Sequence, residues 1–139
     1  MSSDDLKDVV RRWIIGTWDE GNVALLDEFA TPNYVYRAPG DEELDGKALQ
    51  EYSASIRSAF PDLNNTIEMQ VAEGDVVVTR GTTRGTHEGS FAGIAPTGEQ
   101  IALPWVFITR FENGRIAEDW ELYDALGLMQ QLGAIPKSG

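Results

Sequence analysis

Residues Trp105 to Gly133 read WVFITRFENGRIAEDWELYDALGLMQQLG, and the reading of this stretch decides the fold. Two strand-like runs flank Asn113-Gly114, a pair that supplies the φ > 0 positions of a tight hairpin. The second strand is expected to run to Asp124, followed by an amphipathic segment carrying Leu126, Leu128, Met129 and Leu132, with Gly133 as its C-cap. Across a two-residue turn, Leu103, Trp105, Phe107, Thr109 and Phe111 share a face with Ile116, Glu118, Trp120, Leu122 and Asp124. A three-residue bulged turn would flip one strand against the other. A carboxyl group in such an aromatic row is placed to have a raised pKa and to act as an acid or base near neutrality.

Working outward, the period before residue 61 is helical. Leu6, Val9, Val10, Trp13, Ile14 and Thr17 mark a first helix, with Ser2 and Asp5 as its capping pair. Trp13 and Trp18 read as core. Asn22 is expected to cap a short second helix ended by Thr31-Pro32, and Tyr34 to Arg37 is a short β-like run. Asp45 opens a third helix that Pro61 stops. The period then changes to two: Ile67, Met69 and Val71 alternate, Gly74-Asp75 turns the chain, and Val76 to His87 forms a long strand. Glu88 to Gly98, rich in Gly, reads as a rim or lid loop. Helices first and hairpin-linked strands after give an α+β fold, one domain over 1–139, with N-terminal helices packed on a curved antiparallel sheet of about four strands enclosing a cone.

Composition narrows the function. The 139 residues carry 23 acids against 11 bases, a net charge of −12, which disfavours nucleic acid and anionic membranes as partners. There is no cysteine and one histidine, which removes thiolate chemistry and any two-His metal motif. No apolar run approaches the ~20 residues of a membrane helix. The acidic start MSSDDLKDVV has no leader-like apolar core, so a cytoplasmic protein is the expectation.

Phe60-Pro61-Asp62-Leu63, Gly85 to Phe91 with Gly93 and Pro96-Thr97-Gly98, Arg110-Phe111, Asn113 to Ile116, Glu118, Trp120, Asp124 and Leu128 to Gly133 occur in an order that resembles the SnoaL-like polyketide cyclases of the NTF2-like superfamily. The resemblance implies a cone-shaped α+β barrel that uses neither cofactor nor metal and dimerises through its outer sheet face. It implies ring closure of a polyketide-like carbonyl compound by intramolecular aldol condensation, with an aspartate as acid/base at the position of Asp124. The chain departs from the family where polar helpers stand before the hairpin, here Phe107 and Thr109, and where a His follows the first short strand, here Tyr36-Arg37.

The candidate catalytic residues are therefore Asp124 and His87. Asp124 has a competing role as N-cap of the helix starting at Ala125, which the residues alone favour and the resemblance outweighs. His87 could share a proton with Asp124 or simply anchor the adjoining loop. Trp105, Phe107, Thr109, Trp120 and Tyr36 are expected to line the cavity. Arg37 is expected either to bind an ester or carboxylate or to pair with Asp41-Glu42-Glu43, and Glu118 either to join the site or to pair with Arg110 or Arg115. Glu118, Asp119, Glu121 and Asp124 cannot converge on one ion, because strand neighbours face opposite ways. The partners expected are a small apolar or aromatic carbonyl substrate and a second copy of the chain, with Val106, Ile108 and Tyr123 at the homodimer face. Two alternatives remain: a non-catalytic binding protein, or an epoxide-hydrolase-like enzyme using Glu118, Asp124 and Arg37 around one water.

Overall fold

The computed structural model describes residues 1–40 and 42–136. Helix α1 (Ser3–Ile14) begins at the Ser2/Asp5 capping box and buries Leu6, Val10, Trp13 and Ile14 along one face. It runs directly into a π-helical turn, Ile15–Asp19. The Arg57 guanidinium satisfies the carbonyls that this wide turn leaves open, donating to Thr17 O at 2.8 Å and Trp18 O at 3.2 Å. Helix α2 (Leu25–Phe29) has no side-chain cap. The expected cap, Asn22, instead accepts from Ala24 N two residues on, in an Asx turn ahead of the helix. Helix α3 (Gly46–Ala59) does start at Asp45, whose carboxylate accepts from Ala48 N.

The strands are β1 (Ala30–Ala38), β2 (Glu42–Asp45), β3 (Asn64–Glu73), β4 (Val76–Thr86), β5 (Gln100–Glu112) and β6 (Arg115–Tyr123), followed by helix α4 (Ala125–Gln131). They form one curved sheet in the order β2-β1-β6-β5-β4-β3. Every junction is antiparallel except β1 with β6, which is parallel because the chain crosses from β1 through helix and sheet before returning. Six strands replace the expected four: the run around Tyr34 to Arg37 is a full strand, and β2 pairs with its end. The helices fill the concave side. A deep cluster joins Leu6, Val10 and Trp13 of α1 to Val77, Phe107 and Ile116, and a second one near the rim joins Ala59 and Phe60 to Ile101, Leu128 and Leu132.

The β5–β6 hairpin determines what the cone contains. Its turn has two residues, as the sequence indicates, with Asn113 at φ 53° and Gly114 at φ 78°. Phe111 pairs with Ile116, but Arg110 pairs with Glu118, so Ala117 is an extra residue bulged out of register. From that point every side chain of β6 changes face. Asp119, Glu121 and Tyr123 sit opposite Thr109, Phe107 and Trp105 on the concave side. Glu118, Trp120 and Leu122, expected inside, lie on the convex side, where Trp120 is 49% and Leu122 59% exposed.

Candidate functional site

The concave side holds a narrow cavity of about 60 Å³, open at its mouth. Its wall takes Trp18 from the π-helical turn, Tyr52 and Ile56 from α3, Phe107 from β5, Phe91 from the 88–99 loop and Leu128 from α4. Polar groups are few: Asn65, Thr83 and Glu121, besides the Tyr52 and Tyr123 hydroxyls. An apolar cavity with a few convergent polar groups is the usual form of a small-molecule site.

Glu121 is the carboxyl group of this cavity. Burial pushes its pKa up, the hydrogen bond from Tyr36 opposes the rise, and the Asp119 charge adds to it, leaving it at about 8. Tyr36 is buried and donates its hydroxyl to Glu121 Oε1. Its own pKa is pushed far above the phenolic range by burial and by Glu121, so it stays a donor. The Tyr36 ring packs with Trp18 and Phe107 in one aromatic cluster, ring centroids 5.9–6.5 Å apart. Tyr52 stands edge-on to Trp18 at 5.9 Å.

Asp119, two residues earlier on the same face, is 1% exposed and serves the core. It accepts from Trp13 Nε1 at 2.8 Å, from Tyr34 OH at 2.7 Å and from Thr109 Oγ1. Burial raises its pKa despite these three donors. The group ties α1 and β1 to the sheet and is buried away from the cavity wall.

The structure redistributes the residues singled out in the sequence. Asp124 is exposed and caps α4, accepting from Gly127 N at 2.9 Å, so it takes the capping position rather than a place in the cavity wall. His87 is fully buried behind Phe60, ring centroids 5.4 Å apart, and accepts at Nδ1 from Thr97 N at 3.2 Å. It pins the 88–99 loop, and no hydrogen bond joins it to Asp124 among the described residues. Phe107 lines the cavity and Tyr36 reaches it through Glu121. Trp105 lies one layer behind, against Phe107 at 5.2 Å, and Thr109 is committed to Asp119.

Arg37, Glu118 and Trp120 leave the site altogether. Arg37 Nε meets Glu118 at 3.2 Å on the convex face, its guanidinium also pairs with Glu43, and it stacks 5.2 Å from the Trp120 ring. Glu118 is held by Arg110 at 3.0 Å as well. Asp41, the other expected partner of Arg37, lies outside the described residues. Burial pushes Glu118 up, but the Arg110 and Arg37 guanidinium groups hold it below the usual carboxylate range. Glu118, Arg37 and Asp124 therefore do not surround one water, and the epoxide-opening arrangement is not formed. Among the described residues no cluster of three His, Asp or Glu could hold a metal ion.

Sequence reasoning missed Glu121 as the carboxyl of the cavity wall, and with it the cavity role of Trp18. Alternation alone gave two possible faces for β6, and the apolar Trp120 and Leu122 argued for the wrong one. The carboxyl of the cavity thus sits three residues before the expected one, on the strand instead of beyond its end.

This geometry can be set beside known proteins. The profile of the family described as SnoaL-like polyketide cyclase matches residues 8–132, and the chain belongs to that family. Among curated proteins none matches significantly. A solved structure from Acidithiobacillus ferrooxidans, provisionally assigned as a polyketide cyclase, is 31% identical, with 96% of this chain and 99% of that one covered and a TM-score of 0.82. AclR from Streptomyces galilaeus, provisionally assigned as a hydroxylase, is 26% identical over 99% of this chain and 87% of its own, with a TM-score of 0.86. IdmH from Streptomyces antibioticus, provisionally a polyketide cyclase, is 28% identical over 92% and 98%, with a TM-score of 0.81. The fold expected from the sequence, helices on a curved sheet of the NTF2-like kind, is the fold of these proteins.

Proposed function

We propose that the chain is a cyclase of the SnoaL-like type, closing a ring by aldol-type chemistry on an apolar carbonyl substrate, with Glu121 as its acid/base. The observation that carries this is the one carboxyl group, among the described residues, in a largely apolar cavity wall, hydrogen-bonded by Tyr36 and with a pKa pushed up to about 8. Near neutrality most of it is protonated, and the ionised fraction is a stronger base than an ordinary carboxylate. Aldol closure needs one proton taken from carbon beside a carbonyl and one delivered to the oxygen that becomes a hydroxyl. One carboxyl can do both in turn: the carboxylate takes the first proton, the enolate attacks the second carbonyl, and the carboxylic acid protonates the resulting alkoxide. Tyr36 holds Oε1 throughout and steadies the carboxylate while it exists. The aromatic wall excludes water that would compete for the enolate.

The test compares two carboxylates on whatever keto ester the enzyme turns over. Glu121→Gln should lower kcat by at least about a hundredfold, the usual contribution of a positioned acid/base. Asp124→Asn should leave turnover within a few-fold and stability nearly unchanged, because Asn caps a helix as well as Asp does. Comparable losses in both variants, or turnover surviving Glu121→Gln, would reject the assignment. If the chain is instead a binding protein, no ester is turned over and Glu121→Gln changes affinity alone. A homodimer through the convex face belongs to the same reading, and is supported by exposed Ile108, Trp120, Leu122, Met69 and Val71 on that side. Tyr123, once expected there, is instead part of the cavity wall.

A further inference from the structure

Asn65, on β3, is held from three sides. Its backbone N–H donates to Asp19 Oδ2 at 2.8 Å and its Nδ2 donates to Asp19 Oδ1 at 2.6 Å. Its Oδ1 accepts from Trp105 Nε1 at 3.0 Å and from the Thr83 hydroxyl. A side-chain amide has two acceptor positions and two donor hydrogens. Both acceptor positions and one hydrogen are thus used, and among the described residues the second Nδ2 hydrogen has no acceptor. The amide cannot turn over to change this. A flip would set Oδ1 against the Asp19 carboxylate and Nδ2 against the Trp105 N–H, replacing attraction by repulsion at both ends. Asn65 lines the cavity, so its one unspent group is a donor available to whatever binds there.

The rest of the wall says which acceptor it suits. No Lys, Arg or His is among the residues lining the cavity, so an anion would be desolvated there without a counter-charge, beside a carboxyl group. The acceptor must be neutral. We infer that Asn65 is a ligand-contact residue that donates its free Nδ2 hydrogen to a neutral carbonyl oxygen, and that Asp19 is the positioning residue that aims it. This rests on the cavity being the substrate site, and it adds a fixed polar anchor that is independent of Glu121. Asp19 closes the π-helical turn that also brings Trp18 to the cavity wall, so one local irregularity positions both an apolar and a polar contact.

Indan-1-one and indane differ essentially by one carbonyl oxygen and serve as probes. Wild-type protein should bind the ketone roughly five- to tenfold more tightly, the effect of one neutral hydrogen bond. On adding the ketone, one Asn65 Nδ2 proton should move downfield in the NMR spectrum, and indane should leave it in place. This reading needs no variant and is unaffected by folding defects. Asn65→Leu should abolish the ketone preference and retain indane binding. Asp19→Asn should reduce the preference a few-fold with indane affinity unchanged, a split that general loosening of the cavity would not produce. Glu121→Gln keeps a donor at position 121 and should retain the preference while losing turnover, so the two assignments fail separately. Equal affinity for both probes in the wild type, a preference that survives Asn65→Leu, or an Nδ2 resonance indifferent to the ketone would overturn the assignment to Asn65. Failure of both probes to bind at millimolar concentration would overturn it together with the proposed function.

Discussion

Glu121 and Asp119 are both carboxyl groups whose pKa the folded chain raises, for different ends. Asp119 spends its oxygens on three donors and cross-links the core, whereas Glu121 has Tyr36 on one oxygen and faces the cavity. The sign of the resulting pH dependence follows from linkage. A group with a raised folded pKa holds its proton in the folded state at pH values where the unfolded chain has released it. The stability it contributes is complete below the unfolded pKa and is lost as pH rises through the folded one. For Glu121 that window runs from 4.5 to about 8, so denaturant stability should decline across it. Glu121→Gln should flatten the decline, as measured by urea unfolding at a series of pH values. A stability that rises through this window in the wild type, and is unchanged in the variant, would show that Glu121 is not buried as described. Part of this was legible beforehand: an acid on the second hairpin strand, among aromatics, with Tyr36 nearby. Which acid it is was not legible, because the sequence AEDWELYD alternates equally well with either set of residues inward.

At the scale of elements, two local irregularities build the site. The π-helical turn widens the end of α1 by one residue and turns Trp18 into the cavity, where plain helical periodicity had put it in the core. The bulge at Ala117 does the same for β6. The inward carboxylate of Asp119 is the direct product of this bulge, and replacing it tests the arrangement. In Asp119→Leu, Trp13, Tyr34 and Thr109 would lose their buried acceptor. At about 1–3 kcal/mol for each group left unpaired, the substitution should cost at least about 3 kcal/mol, as measured by thermal unfolding. Wild-type stability in this variant would mean that Asp119 does not face the core. The hairpin turn itself was readable, since Asn-Gly suits the φ > 0 positions directly, but a bulge three residues beyond the turn has no comparable residue signature.

For the whole molecule, one sheet wraps a cavity on one side and leaves apolar residues on the other. With Trp120 and Leu122 at its centre, the convex face should join two copies of the chain. Light scattering at micromolar concentration should give twice the chain mass, and Trp120→Glu combined with Leu122→Glu should give a monomer that retains the cavity. A monomeric wild type would discard the dimer. The α+β class, the capping box of α1, the start of α3 at Asp45, the two-residue hairpin turn and the 88–99 loop were all determined by the sequence itself. Each rests on periodicity or turn chemistry acting within a few neighbouring residues. The parallel β1–β6 pairing, the face that β6 presents, the presence of Glu121 rather than Asp124 in the cavity wall and the locked amide of Asn65 were decided only in the tertiary structure. A side chain's facing depends on the register with a strand distant in sequence, and its pKa and unspent hydrogen bonds depend on what the whole fold packs around it.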